Sequence, residues 1–206
     1  MIVCFDAGEK TFRHDAYDGY KAGRAKTDDA LIRQLDRSRE IFEAFHVPIY
    51  DMPGFEADDM LGTIVEEILS KKEYADTDVV IASGDMDTLQ LVSGKRVRVY
   101  TLKKGITDTI IYDEEAVKTR YGFGPEHVAD YKALRGDPSD NIIGIRGIGE
   151  KTATTLIQAY GAVEELYKAV KTKKEKMISK ETGITERIFK LLQEGEDDAM
   201  FSKTLA

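Results

Sequence analysis

The chain has 206 residues, 42% apolar and 33% charged, and its 38 Asp and Glu against 30 Lys and Arg leave a formal charge of -8. This suits one soluble globular domain, or one domain with a small appendage, and argues against disorder. A single cysteine, Cys4, excludes an internal disulfide framework and a multi-cysteine zinc cluster. With no apolar run long enough for a leader or a membrane span, the expected location is the cytoplasm and no membrane partner is expected. An acidic chain also looks, at first, like a poor ligand for nucleic acid.

In chain order, Met1 to Phe5 reads as a short strand buried on both faces and ending at Asp6. Residues 10 to 26 are polar with interleaved aromatics, and the spacing of Leu31, Leu35, Ile41, Phe42 and Phe45 predicts an amphipathic helix over 30–45. His46 to Tyr50 suits a short strand, and a helix opens near Glu56 and carries Leu61, Ile64, Val65 and Ile68. A second buried strand is predicted at Val79–Ala82, followed by a helix with Leu89, Leu91 and Val92. A hairpin is predicted around Lys103-Lys104-Gly105. From Asp113, a predicted helix N-cap, the pattern is helical with Gly and Pro punctuation. The implied architecture is α/β over 1–112, with a mostly parallel sheet flanked by helices, and a helical subdomain over 113–206.

Four acidic groups stand out: Asp6 after the first strand; Glu56, Asp58 and Asp59 at a helix start; Asp85 and Asp87 after the next strand; and Asp137 and Asp140 in a turn. Taken singly, each has an ordinary explanation in helix dipoles or turn chemistry. Asp6 and Asp85 fall at the carboxyl ends of strands, where ligands gather in parallel sheets. Glu56 and Asp59, three apart, share a helix face. Converging acids repel one another unless cations neutralise them. Oxygen-only donors suit hard divalent ions such as Mg²⁺ or Mn²⁺, and two such ions roughly 4 Å apart are the expected device for in-line displacement at a phosphodiester.

Gly144-Ile145-Arg146-Gly147-Ile148-Gly149-Glu150-Lys151-Thr152-Ala153 places a glycine turn ahead of a helix. Backbone N–H groups there suit a phosphate, with Lys151 adding charge; the string resembles the helix-hairpin-helix class of DNA-backbone binders. In 10–26, Lys10, Arg13, Lys21, Arg24 and Lys26 against Asp15 and Asp18 give a local +3 among Phe12, His14, Tyr17 and Tyr20. That pattern suits phosphate pairing with base stacking and equally a solvated helix with aromatic core contacts. Residues 166 to 190, a local +5, read first as a solvated helical face, with duplex contact as the lesser alternative.

Together Val3–Ala7, Phe12-Arg13-His14, Tyr20–Arg24, Pro53–Asp59, Gly84–Asp87, Gly136–Asn141 and Gly147–Ala153 resemble, in order, the 5′ nuclease family, in particular the 5′–3′ exonuclease domain of bacterial DNA polymerase I. The resemblance implies a PIN-like α/β fold and makes Asp6, Glu56, Asp58, Asp59, Asp85, Asp87, Asp137 and Asp140 the metal-site acids. It implies that Lys21 and Arg24 act catalytically from an arch over 10–40, steering the scissile phosphate. Arg13, Tyr20, Gly147, Gly149, Lys151 and Thr152 would meet DNA, Tyr20 by stacking on a flipped base, with a monovalent cation at the glycine turn. The implied reaction is two-metal hydrolysis near a 5′ flap or single-strand/duplex junction, as in DNA replication and repair, by a monomer or by part of a longer polymerase.

Family members begin with a strand ending in Asp-Gly ahead of the strand seen here at 1–5, so the resemblance implies a chain truncated at its N-terminus and short of one metal ligand. A non-catalytic DNA-junction binder and a metal-dependent ribonuclease of the related fold therefore stay open. The acidic charge does not exclude nucleic acid: the 38 acids less the eight metal-site candidates leave 30, equal to the 30 Lys and Arg.

Overall fold

The computed structural model describes all residues, 1–206. The chain forms two compact units, Met1–Thr77 and Asp78–Ala206.

In the first unit the chain runs β1 (Val3–Cys4), α1 (Phe12–Ala16), α2 (Asp29–Ala44), β2 (Ile49–Tyr50) and α3 (Ala57–Ser70). β1 pairs in parallel with β2, Val3 opposite Ile49 and Cys4 opposite Tyr50. The strand expected to be buried on both faces is therefore only two residues long and half-buried, because a two-stranded ladder leaves each strand an unpaired edge. α2 begins where Asp28 accepts the Ala30 N–H at 2.7 Å, a side-chain cap that satisfies an orphan donor. Its apolar stripe stays largely in solvent, with Leu31, Leu35 and Ile41 about half exposed. α3 starts with a reciprocal cap: Glu56 N–H donates to Asp59 Oδ2 at 2.8 Å, and the Glu56 side chain accepts the Asp59 N–H.

In the second unit β3 (Val79–Ala82) is parallel to β4 (Val97–Lys104), which forms an antiparallel hairpin with β5 (Asp108–Tyr112). The turn is the expected one, closed by Gly105 at φ +61°, a conformation glycine adopts without steric cost. β3 is covered on one face: Ile81 points inward while Val80 and Ala82 stay exposed. The helix expected around Leu89 is a 3₁₀ turn over Met86–Leu91, capped by Asp85. The sheet expected as one layer is present as two separate ladders.

Helices complete the unit: α4 (Glu114–Tyr121), α5 (Val128–Arg135), α6 (Glu150–Tyr160), α7 (Val163–Thr172), α8 (Glu175–Thr182), α9 (Glu186–Glu194) and α10 (Glu196–Leu205). Asp113 caps α4 as predicted, accepting the Ala116 N–H at 2.9 Å. Leu134, Leu156, Leu166, Ile178 and Leu192, from five of these helices, are fully buried in one core. That core is what holds the turns at Gly136 and Gly147 in place. Between the turns two glycine backbones touch: a Cβ on Gly144, at φ +60°, would lie 2.2 Å from the Gly136 nitrogen.

Candidate active site

In the first unit the helix start at Glu56 and the loop after β1 bring acids together. Asp6 Oδ1 accepts the Ala57 N–H at 2.7 Å, so the carboxylate after β1 sits on the first turn of α3, where the helix dipole favours it. Arg13 grips Asp59 with both terminal nitrogens, each at 2.9 Å. Lys21 Nζ reaches Glu56 Oε1 at 2.7 Å, and Tyr20 donates its hydroxyl to Glu56 Oε2 at 3.1 Å. Burial pushes the Asp59 carboxyl up, but Arg13 outweighs it and holds the group below the usual carboxylate range. Asp58 lies close enough to Cys4 to add to the burial that raises that thiol.

Tyr20 and Arg13, expected at DNA, both have partners inside the protein. Tyr20, expected to stack on a flipped base, is 3% exposed here, its ring edge-on to His14 and its hydroxyl on Glu56. Arg13, expected at DNA phosphates, is committed to Asp59, and its guanidinium also covers the Phe12 ring at 4.5 Å. Lys21 is in the left-handed region at φ +55°, in the turn-rich stretch between α1 and α2.

In the second unit Asp85 follows β3, its Oδ1 accepting the Asp87 N–H at 2.9 Å. Asp137 opens a tight turn closed by paired 2.8 Å bonds between Asp137 and Ile142, while Ser139 donates N–H and hydroxyl to Asp137 Oδ1 at 2.9 and 2.6 Å. Asp140 is buried in the same turn. Lys132, on α5 and 8% exposed, ion-pairs with Asp87 and with Asp137 Oδ2, the latter at 2.7 Å. Burial pushes Asp137 up, yet Lys132 and Ser139 bring it down to about 2. Asp87 goes the other way: burial raises it, Asp85 and Asp137 add like-charge repulsion, and Lys132 does not fully compensate.

Lys132 is the site residue that motif and spacing do not mark. The signal was there, a lysine inside the apolar run Tyr131-Lys132-Ala133-Leu134 five residues before Asp137. Buried lysines are rare unless paired.

The donors in both sets are carboxylate oxygens, which fit a hard divalent cation. As the side chains stand, no three His, Cys, Asp or Glu groups converge tightly enough to hold an ion; Arg13, Lys21 and Lys132 occupy the acids instead.

The glycine turn precedes α6 as predicted. Ile145 and Ile148 are buried anchors, Gly147 adopts φ +95°, and Gly149 at the N-cap brings no capping side chain to the first-turn N–H groups of Glu150, Lys151 and Thr152. Lys151 and Arg146 are exposed.

Two family models span the sequence: the N-terminal resolvase-like domain of 5′–3′ exonucleases matches residues 1–122, and their C-terminal SAM fold matches 123–206. The chain belongs to the 5′–3′ exonuclease family. DNA polymerase I of Bacillus caldotenax is 42% identical over 207 residues and that of Bacillus subtilis 39% over 206, each across the whole of this chain. The chain spans 22% of the length of each of these relatives. Among solved structures, the T5 D15 protein co-crystallised with metal ions superposes with a TM-score of 0.77 at 25% identity, over 99% of this chain and 74% of that one. The catalytic core of Rad2 with a DNA substrate shares the fold alone, at TM-score 0.54 and 16% identity over 95% of this chain and 57% of that one. No helix is long and apolar enough to cross a membrane.

Proposed function

We propose that this chain is a structure-specific 5′–3′ exonuclease and flap endonuclease module that hydrolyses DNA phosphodiesters near a 5′ flap or single-strand/duplex junction, within a longer polymerase that serves replication and repair. The observation that carries the reading is the second unit's arrangement. There Asp85, Asp87 and Asp137, the last two bridged by buried Lys132, stand in the same compact unit as a glycine turn whose helix N–H groups carry no side-chain cap. Asp6, Glu56, Asp58, Asp59, Asp85, Asp87, Asp137 and Asp140 would hold Mg²⁺ or Mn²⁺. When bound, the ions supply activation of water and charge stabilisation of the leaving 3′ oxygen. Lys21 and Arg24 steer the scissile phosphate. Arg13 and Lys132 hold Asp59, Asp87 and Asp137 in place while the site is empty of substrate. Gly147, Gly149, Lys151 and Thr152 grip the duplex backbone, with room for a monovalent cation at the turn. Residues 1–112 serve as the nuclease core and 113–206 as the DNA-binding part of a cytoplasmic monomer.

The test is a 5′-flap duplex labelled at its 5′ end, incubated with the purified chain in Mg²⁺ or in EDTA. Release of short labelled fragments in Mg²⁺ alone is expected. Flap binding with no cutting would make the chain a junction binder, and faster cutting of single-stranded RNA would make it a ribonuclease.

A further inference from the structure

The glycine turn has a neighbour that sequence spacing gives no reason to expect. A Cβ placed on Gly147 would meet Leu191 Cδ1 at 3.0 Å and Arg187 Nη2 at 3.4 Å, both from α9. The backbone of the turn is thus flanked by an apolar anchor and by a guanidinium forty residues away in the chain. Arg187 is exposed and makes no ion pair, whereas Lys168, Lys171, Lys173 and Lys190 of the same basic stretch are each paired with a glutamate; Lys174, Lys176 and Lys180 are exposed and unpaired as well, so it is the approach to Gly147 that distinguishes Arg187. Arg146 and Lys151, on the turn and on the helix after it, are likewise exposed and unpaired.

An arginine without a carboxylate partner, beside a backbone that carries no side chain, has its planar fork open to a bidentate oxyanion. Gly147 keeps that approach clear: a side chain there would crowd the guanidinium and would be strained at φ +95°. We propose that Arg187 is a second side-chain contact to the duplex phosphate backbone at the glycine turn, acting with Lys151 but from a separate helix. The inference rests on the proposed DNA-binding role of the turn and extends it to α9. It also separates one residue of the 166–190 stretch from the solvated face to which its neighbours belong.

Each phosphate neutralised contributes about 0.9 to the slope of log affinity against log salt. The experiment measures binding of the purified chain to a fluorescein-labelled blunt duplex across a salt series in EDTA. Arg187→Ala should weaken binding about tenfold near 0.1 M salt and make the slope shallower by about one. Arg187→Lys should restore the slope but only part of the affinity, because the point charge returns without the fork. Arg187→Ala with Lys151→Ala should lose about two from the slope. Lys190→Ala, one turn away and paired with Glu186, should leave both slope and affinity unchanged. If Lys151→Ala flattens the slope and Arg187→Ala does not, or if Lys190→Ala does as much as Arg187→Ala, the assignment of Arg187 falls and the role of the turn stands. Failure of the unmodified chain to bind the duplex at all would remove both.

Discussion

Lys132 Nζ lies 2.7 Å from Asp137 Oδ2 and pairs at the same time with Asp87, so one buried lysine answers two of the acids that the family resemblance makes metal ligands. Removing one member of a buried ion pair costs more than the pair contributes, because the partner stays buried and charged. Lys132→Met should destabilise the chain by about 3–5 kcal/mol in EDTA, read as a lower urea midpoint. Mg²⁺ should recover part of the loss, since a bound cation replaces the missing charge and stabilises the folded state by mass action. Equal loss with and without Mg²⁺ would mean that the carboxylates take no metal.

Asp137 gives a pH signature of definite sign. Its folded value, about 2, lies below the ordinary 3.8, so its contribution is complete above that ordinary value and is lost as the pH falls through about 2. Asp137→Asn should cost about 2 kcal/mol at pH 7, with the gap to the parent chain closing between about pH 4 and pH 2. Asp87, shifted upward, works the other way and gives up stability as the pH rises through its value. Urea unfolding at a series of pH values in EDTA tests both; a gap that widens on acidification would contradict the Asp137 assignment.

Asp85 caps a 3₁₀ turn through its Oδ1 contact with the Asp87 N–H, and a neutral amide can keep that bond. Asp85→Asn should therefore preserve folding and duplex affinity while slowing flap cleavage on the order of a hundredfold or more, as several kcal/mol of charge stabilisation are lost. Single-turnover rates beside equilibrium binding separate the two effects. A collapse of binding with the rate preserved would reverse the role given to Asp85.

Glycines near the turn should respond unequally. Gly144→Ala forces a Cβ to within 2.2 Å of the Gly136 nitrogen at a left-handed φ, and should cost about 1–3 kcal/mol or more. Gly149→Ala meets open space at φ -97° and should leave thermal stability nearly unchanged. Equal melting temperatures for the two variants would argue against the close glycine contact.

Local chemistry was readable from the sequence wherever a few neighbouring residues decide the outcome. The start of α3 at Glu56, the cap at Asp113, the hairpin at Gly105 and the glycine turn before α6 all follow from residue type and spacing. Solvent exposure was read less well: the pattern Val79–Ala82 suits a strand covered on both faces, and only the absence of a second layer over Val80 makes it one-sided. Least legible were pairings between distant side chains. Arg13 lies 46 positions from Asp59, and the aromatic-basic alternation around it fits a DNA surface as well as an internal ion pair. Tyr20 is buried by Glu56 and His14, which no periodicity in 10–26 predicts. Arg187 and Gly147 meet only because α9 packs beside the turn.

The contact between Gly136 and Gly144 ties together two segments with different tasks. On one side of it stands the turn that carries Asp137 and Asp140, and on the other the turn that presents its amides before α6. With no side chain between them and core residues on either flank, the two turns pack backbone against backbone. The two turns therefore share one packing contact, and a change at either glycine reaches both. On the proposed function, packing at Gly136 and Gly144 would set the spacing between a duplex seated at Gly147 and the acids Asp137 and Asp140, so the position of the cut would follow the protein and not the bases.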